Sequence, residues 1–273
     1  KVIRNLLDAA VKATNSPAEG RASFELRCVH KVSARAHEVT ATAGIFETTS
    51  NDEALSQLQA GNAQVVGGTT WLWSRPEFHE AVDALFVDEA GQMSLANTLA
   101  VSQGARNVVL LGDPQQLEQP QQGSHPEGTD VSALQHVLGA SPTMPQDRGL
   151  FLERTWRLHP RICAFTSSQF YEDKLTSRDG LERQVLWGSR RFNGAGLFVL
   201  PVKHQGNQSV STEEVECIEE VMKELLWGGV TWMSGEGTEK PLTNDDILIV
   251  APYNVQVADL QTRLPKARVG TVD

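Results

Sequence analysis

The sequence predicts an α/β fold with mostly parallel sheets, arranged as two domains. Three observations lead there. Short apolar, β-branched runs alternate with helical patterns along most of the chain, and such alternation marks parallel sheets covered by helices. Runs such as Val108-Val109-Leu110-Leu111 and Ile247-Leu248-Ile249-Val250 are apolar at every position, which suits strands buried on both faces. The 273 residues suffice for two domains, since one takes about 100–200 residues. A break rich in Pro and Gly falls at residues 139–149.

In order, the first domain (1–145) reads as a helix over 2–13, a weaker strand over 24–32, a helix over 52–60 and strands over 64–67 and 84–87. A helix over 95–103, a strand over 107–111 and a helix over 131–138 complete it. The second domain (146–273) reads as helices over 161–170, 213–226 and 255–264, with strands over 197–202, 247–251 and 268–272. Ser211 or Thr212 can cap the helix at 213, where Glu213 and Glu214 suit its positive end. Residues 176–196 and 228–243 read as loops.

Composition narrows the class. Hydrophobic residues make up 40% and charged residues 21%, the profile of a soluble globular protein. No run of about 18 apolar residues predicts a membrane-spanning helix. Lys1 opens inside an amphipathic pattern without a cap or a starting Met, and is read as a cut point. Cys28, Cys163 and Cys217 form no CxxC and no zinc spacing, which fits a reducing cytoplasm. The net charge of −10 argues against a strongly basic nucleic-acid binder. Binding depends on the local field, however, and 27–37 carries Arg27, His30, Lys31, Arg35 and His37 without an acid. That stretch is a candidate basic edge, or simply a solvated strand face.

Three segments carry chemistry. Leu85-Phe86-Val87 runs into Asp88-Glu89-Ala90-Gly91, and ligands of open α/β sheets sit at such carboxyl ends. An Asp there suits Mg²⁺ and a neighbouring Glu can deprotonate water. Adjacent strand residues point to opposite faces, so the turn must redirect Glu89 if both are to serve; acids also end many strands without function. Val108 to Leu111 leads into Gly112-Asp113-Pro114-Gln115-Gln116-Leu117, a turn whose glutamines either sense a γ-phosphate or are merely exposed. Thr155-Trp156-Arg157-Leu158-His159-Pro160 pairs an Arg with a Trp, either an arginine finger or a surface cation–π pair.

In this order, and followed by Ala251-Pro252-Tyr253-Asn254-Val255-Gln256 and Arg268-Val269-Gly270-Thr271-Val272-Asp273, the segments resemble the motifs of superfamily 1 helicases. The likeness covers nearly the whole chain. It points to the branch of the nonsense-mediated-decay RNA helicase, nearest the helicase half of bacterial RecB-like nuclease–helicase fusions. It implies two RecA-like domains of P-loop NTPase type, both incomplete, and an ATP-driven motor on single-stranded nucleic acid, DNA favoured over RNA. A nuclease domain in the same parent chain is also implied.

By the resemblance, Asp88 holds Mg²⁺, Glu89 is the catalytic base, Gln116 senses the γ-phosphate and Arg157 is the finger of the second domain. Trp156 stands where that branch stacks an aromatic on adenine. Thr69 and Thr70 match the segment touching the nucleic-acid strand, unless they simply end a buried strand. Tyr253, Asn254 and Gln256 are expected to face strand or nucleotide, with helix capping the alternative for Asn254. Trp71 and Trp73, two of six tryptophans, are stacking candidates or core.

The chain departs from the family in holding no GxxxxGK[ST], the loop whose amides and Lys cradle the phosphates. These 273 residues alone are therefore expected to turn over ATP negligibly. Two other readings remain: a metal-dependent nuclease, which needs further convergent carboxylates, and a catalytically inactive nucleic-acid-binding scaffold.

Overall fold

A computed structural model describes residues 2–15, 24–33, 43–116 and 131–271. It divides into two compact units, Lys1–Ser141 and Pro142–Asp273. Among the sequence expectations, Lys1, Arg35, His37, Leu117, Val272 and Asp273 lie outside the described residues.

The first unit opens with helix α1 (Val2–Asn15), whose Leu7 and Val11 are buried. They pack on Leu26 and on Cys28 and Ile45 of a small parallel sheet. Strand β1 (Cys28–Lys31) is its centre, flanked by β2 (Ile45–Thr48) and β3 (Val65–Gly67). Helix α2 (Asn51–Gln59) starts where the Ser50 hydroxyl accepts the Glu53 amide, with Asp52 and Glu53 in its first turn; cap and charge both favour that end. A short helix, α3 (Thr70–Trp73), follows β3. Strand β4 (Val82–Val87) pairs in parallel with β5 (Ala105–Leu110), and helix α4 (Leu95–Ser102) connects them. Helix α5 (Ala133–Leu138) closes the unit, capped by Ser132.

In the second unit, β6 (Arg154–Thr155) pairs in parallel with β7 (Thr176–Ser177) across helix α6 (Pro160–Phe170). Strand β8 (Leu186–Trp187) precedes α7 (Thr212–Trp227), and β9 (Thr231–Met233) and β10 (Glu239–Pro241) join β8 in an antiparallel sheet. That sheet occupies part of the 228–243 stretch expected to be loop. Strand β11 (Leu248–Val250), helix α8 (Asn254–Arg263) and β12 (Arg268–Gly270) form a parallel β–α–β unit. Val215 and Met222 of α7 pack with Ile249, Ala251, Val257 and Leu260 as its core.

Two expectations are corrected. Residues 197–202 form no strand, and Val199 is 88% exposed; an apolar run without a hydrogen-bonding neighbour has no ladder to join. Nor are β4, β5 and β11 covered on both faces. Leu85 and Val87 are buried while Phe86 between them is 65% exposed, so the pleat turns alternate residues to a bare side. Leu248 and Val250 of β11 are exposed in the same way.

One clamp in the second unit carries a pH signature. The Glu224 carboxylate on α7 accepts the Ser189 hydroxyl at 2.7 Å, the Arg190 and Arg191 amides at 3.0 Å each, and Arg191 Nε at 2.6 Å. The Ser189 bond and then the Arg191 bonds bring its pKa from the ordinary 4.5 down to about 2. A depressed carboxyl stabilises the fold above its unfolded value and loses that contribution as pH falls through the folded value. The melting-temperature gap between wild type and Glu224→Gln should therefore be full at neutral pH and shrink between pH 4.5 and about 2. A gap that stays constant with pH would contradict the clamp.

Candidate functional site

The site of the first unit is built by two loops at the carboxyl ends of β4 and β5. Val87 lies opposite Leu110 in register. The ladder continues past the strands: Leu111 N donates to Val87 O and Ala90 N to Leu111 O, both at 2.8 Å. Beyond that the loops touch backbone to backbone. A Cβ at Gly91 would collide with the Asp113 carbonyl group, its carbon 2.8 Å away, and one at Gly112 would lie 2.8 Å from the Ala90 and Gly91 nitrogens. Both glycines are thus required by close approach. Gly91→Ala is expected to lower stability by about 1–3 kcal/mol, the usual range for overpacking; an unchanged denaturation midpoint would refute the contact.

This zipping places Asp88, Glu89, Asp113 and Gln116 at one end of the strand pair. Asp88 and Glu89 are exposed, and neither carboxylate has a partner among the described residues. Glu89 takes a left-handed backbone, φ 55°, a conformation uncommon outside glycine. It breaks the strand alternation that would send Asp88 and Glu89 to opposite faces. The Gln116 amide donates to Asp113 Oδ2 at 3.3 Å, and Asp113 Oδ1 accepts the Gln115 amide at 3.0 Å. Asp113 therefore orients Gln116, a role sequence reading missed because Gly-Asp-Pro looks like a plain turn.

In the second unit, the Thr155 hydroxyl accepts the Arg157 and Leu158 amides at 3.3 and 3.4 Å. This tightens the turn from β6 into α6, whose cap is His159 Nδ1 accepting the Arg161 amide. Trp156 and Arg157 are exposed on that turn, and the Arg157 guanidinium has no partner among the described residues. The cation over the Trp156 ring is Arg178, 4.5 Å from its centroid, not Arg157.

Thr69 and Thr70 are exposed at the start of α3, with neither hydroxyl bonded among the described residues. The two neighbouring tryptophans part ways. Trp73 is buried edge-on against Phe78, centroids 5.6 Å apart, whereas Trp71 is 83% exposed. Tyr253 and Asn254 are exposed where α8 begins, and Tyr253, not Asn254, is the cap residue. Gln256 is corrected. It is buried, its Oε1 accepts Ser211 N at 2.7 Å and its Nε2 donates to Ser211 O at 3.3 Å. Its amide ties α8 to the start of α7 and faces neither strand nor nucleotide.

The basic edge at 27–37 is also corrected in part. His30 is buried on β1 against Glu47 of β2, Nδ1 to Oε1 3.0 Å, and Arg4 donates to the same carboxylate. Burial pushes the Glu47 carboxyl up, but the bonds from His30 and Arg4 outweigh it and hold it below the usual range. Only Arg27 and Lys31 remain of that strip among the described residues, and Arg27 is exposed beside the Gly61 carbonyl. No three His, Cys, Asp or Glu side chains gather as a metal-binding group among the described residues, so the cluster that a nuclease needs is not found there. No described helix is long and apolar enough to cross a membrane.

Two matches to family descriptions, each an AAA domain, cover residues 129–273 and residues 7–119. The human protein named 3'-5' exoribonuclease HELZ2 is 24% identical over 303 residues, covering 94% of this chain and 10% of that protein. DNA polymerase alpha-associated DNA helicase A of Schizosaccharomyces pombe is 25% identical over 202 residues, 70% of this chain and 30% of that protein. Helicase sen1 of the same yeast is 28% identical over 202 residues, 69% of this chain and 11% of that protein. The chain thus spans less than a third of each relative's length.

Proposed function

The chain belongs to the AAA-domain family and has the paired α/β domains of a superfamily 1 helicase core, and from that premise we propose that it couples ATP hydrolysis to movement along single-stranded nucleic acid, DNA favoured over RNA. The observation that carries the reading is the zipped pair of loops, which sets two carboxylates without partners among the described residues at the same sheet end as an oriented glutamine.

Each residue has a task in this reading. Glu89, turned by its left-handed backbone, takes a proton from the attacking water. Asp88 would hold Mg²⁺; one free carboxylate completed by waters is a donor set that suits that ion, which offsets charge on the phosphate oxygens when bound. Gln116, held by Asp113, reports whether a γ-phosphate is present. Arg157, which has no partner among the described residues, meets the charge that develops on the transferred phosphoryl group. Thr69, Thr70, Tyr253 and Asn254 contact the strand, and the exposed Trp71 stacks a base.

The activity proposed is that of the full-length protein. A phosphate-binding loop outside these 273 residues completes the site, and the chain alone turns over negligible ATP. A nuclease domain in the same polypeptide is part of the proposal on the strength of the family likeness, and three free thiols favour the cytoplasm. The test is phosphate release from ATP by the full-length protein with and without single-stranded DNA. Hydrolysis that rises with DNA supports the reading; none with either DNA or RNA refutes it.

A further inference from the structure

Trp156 is 69% exposed on the turn after β6, an unusual setting for the largest side chain. The strand register explains what stands against it. Thr155 pairs with Ser177, and Arg178 N donates to Thr155 O at 3.0 Å. The backbone therefore delivers Arg178 beside Trp156, and its guanidinium carbon lies 4.5 Å from the indole centroid. Among the described residues Arg178 has no acid partner and its side chain makes no hydrogen bond. The same holds for Arg157, the next residue along. Two guanidiniums without a partner among the described residues thus belong to this turn and its paired strand, one of them lying over an exposed indole, in a chain of net charge −10. An aromatic platform beside unpaired cations suits a ligand that joins a flat ring to a polyanion, which is the chemistry of a nucleotide.

We propose that Arg178 is a positioning residue: it covers one face of Trp156 and holds the indole so that the opposite face stacks on the base of the bound nucleotide. This rests on the ATPase reading. Arg178 acts through the ring and does not bind the phosphates, a task left to Arg157 and the phosphate loop. No other ring or cation–π contact to Trp156 exists among the described residues, and the side chain is 69% exposed.

The test compares two ligands on the full-length protein by calorimetry: ADP, which carries a base, and inorganic tripolyphosphate, which does not. Trp156→Ala should weaken ADP about tenfold, the scale of one aromatic–base stack. Arg178→Ala should weaken it about three- to fivefold, the scale of an exposed cation–π pair. Tripolyphosphate affinity should be unchanged in both, and Arg178→Lys should restore most of the ADP affinity. In the Trp156→Ala background, Arg178→Ala should cost nothing further. If Arg178→Ala weakens tripolyphosphate as much as ADP, Arg178 is a phosphate ligand and the proposal falls. If ADP affinity is unchanged in Arg178→Ala while wild type binds ADP, the proposal falls and the ATPase reading stands. If wild type binds neither ligand, the ATPase reading itself falls and takes this proposal with it.

Discussion

Replacing Glu89 with Gln in the full-length protein is expected to cut DNA-stimulated ATP hydrolysis by about 10²–10⁴-fold, the contribution of one positioned general base. The substitution is chosen for what it leaves alone. Gln matches Glu in size and keeps hydrogen-bonding capacity, but its amide does not accept a proton from water. The Glu89 carboxylate has no ion pair or hydrogen bond among the described residues, so its charge supports no neighbour that would collapse with it. ATP affinity should therefore persist, and the loss should fall on kcat. Single-turnover phosphate release under saturating ATP separates the two. A variant that keeps wild-type kcat would mean that another group takes the proton, and the assignment of the base would be withdrawn.

Arg157→Ala should be comparably severe, about 10³–10⁵-fold in kcat if Arg157 meets the transition-state charge. Its guanidinium is exposed and unpaired among the described residues, so truncation removes no structural contact and the melting temperature should hold. Arg157→Lys discriminates further. Lysine keeps the charge but loses the planar fork that grips two oxygens at once, so it should recover only a small part of the rate. Full recovery by Lys would mean that Arg157 acts as a simple counter-charge. An Arg157→Ala variant with wild-type kcat would remove it from the chemistry altogether.

Much of this was legible in the residues, because part of the information is local. An apolar run ending in Asp88-Glu89 announces a strand and its carboxyl end, and the next such run ends at Gly112-Asp113. The structure joins those two ends as parallel neighbours. Helices with caps were also legible: Ser211 opens α7 by accepting the Glu214 amide. What was not legible depends on distant partners. Residues 197–202 have strand composition but no neighbour to pair with. β2 is four residues long and gains its place only by lying against β1. Gln256 looks like a strand contact until Ser211, far back in the chain, claims both ends of its amide. Arg178 reaches Trp156 only through the pairing of two-residue strands. The bare faces of β4 and β11 show the converse: an apolar run states that a strand forms, not that something covers it.

The left-handed backbone at Glu89 has a consequence for how this protein would respond to selection. A residue with a side chain pays about 1–2 kcal/mol to sit in that conformation, and asparagine pays less. Substitution by Asn relaxes that penalty while shortening the carboxylate-bearing arm and removing its charge. A screen rewarding thermal endurance alone should therefore drift toward Asn at position 89 and collect robust, inactive clones. Heat tolerance and turnover pull against each other at this single codon, and any library aimed at a hardier variant should keep it fixed.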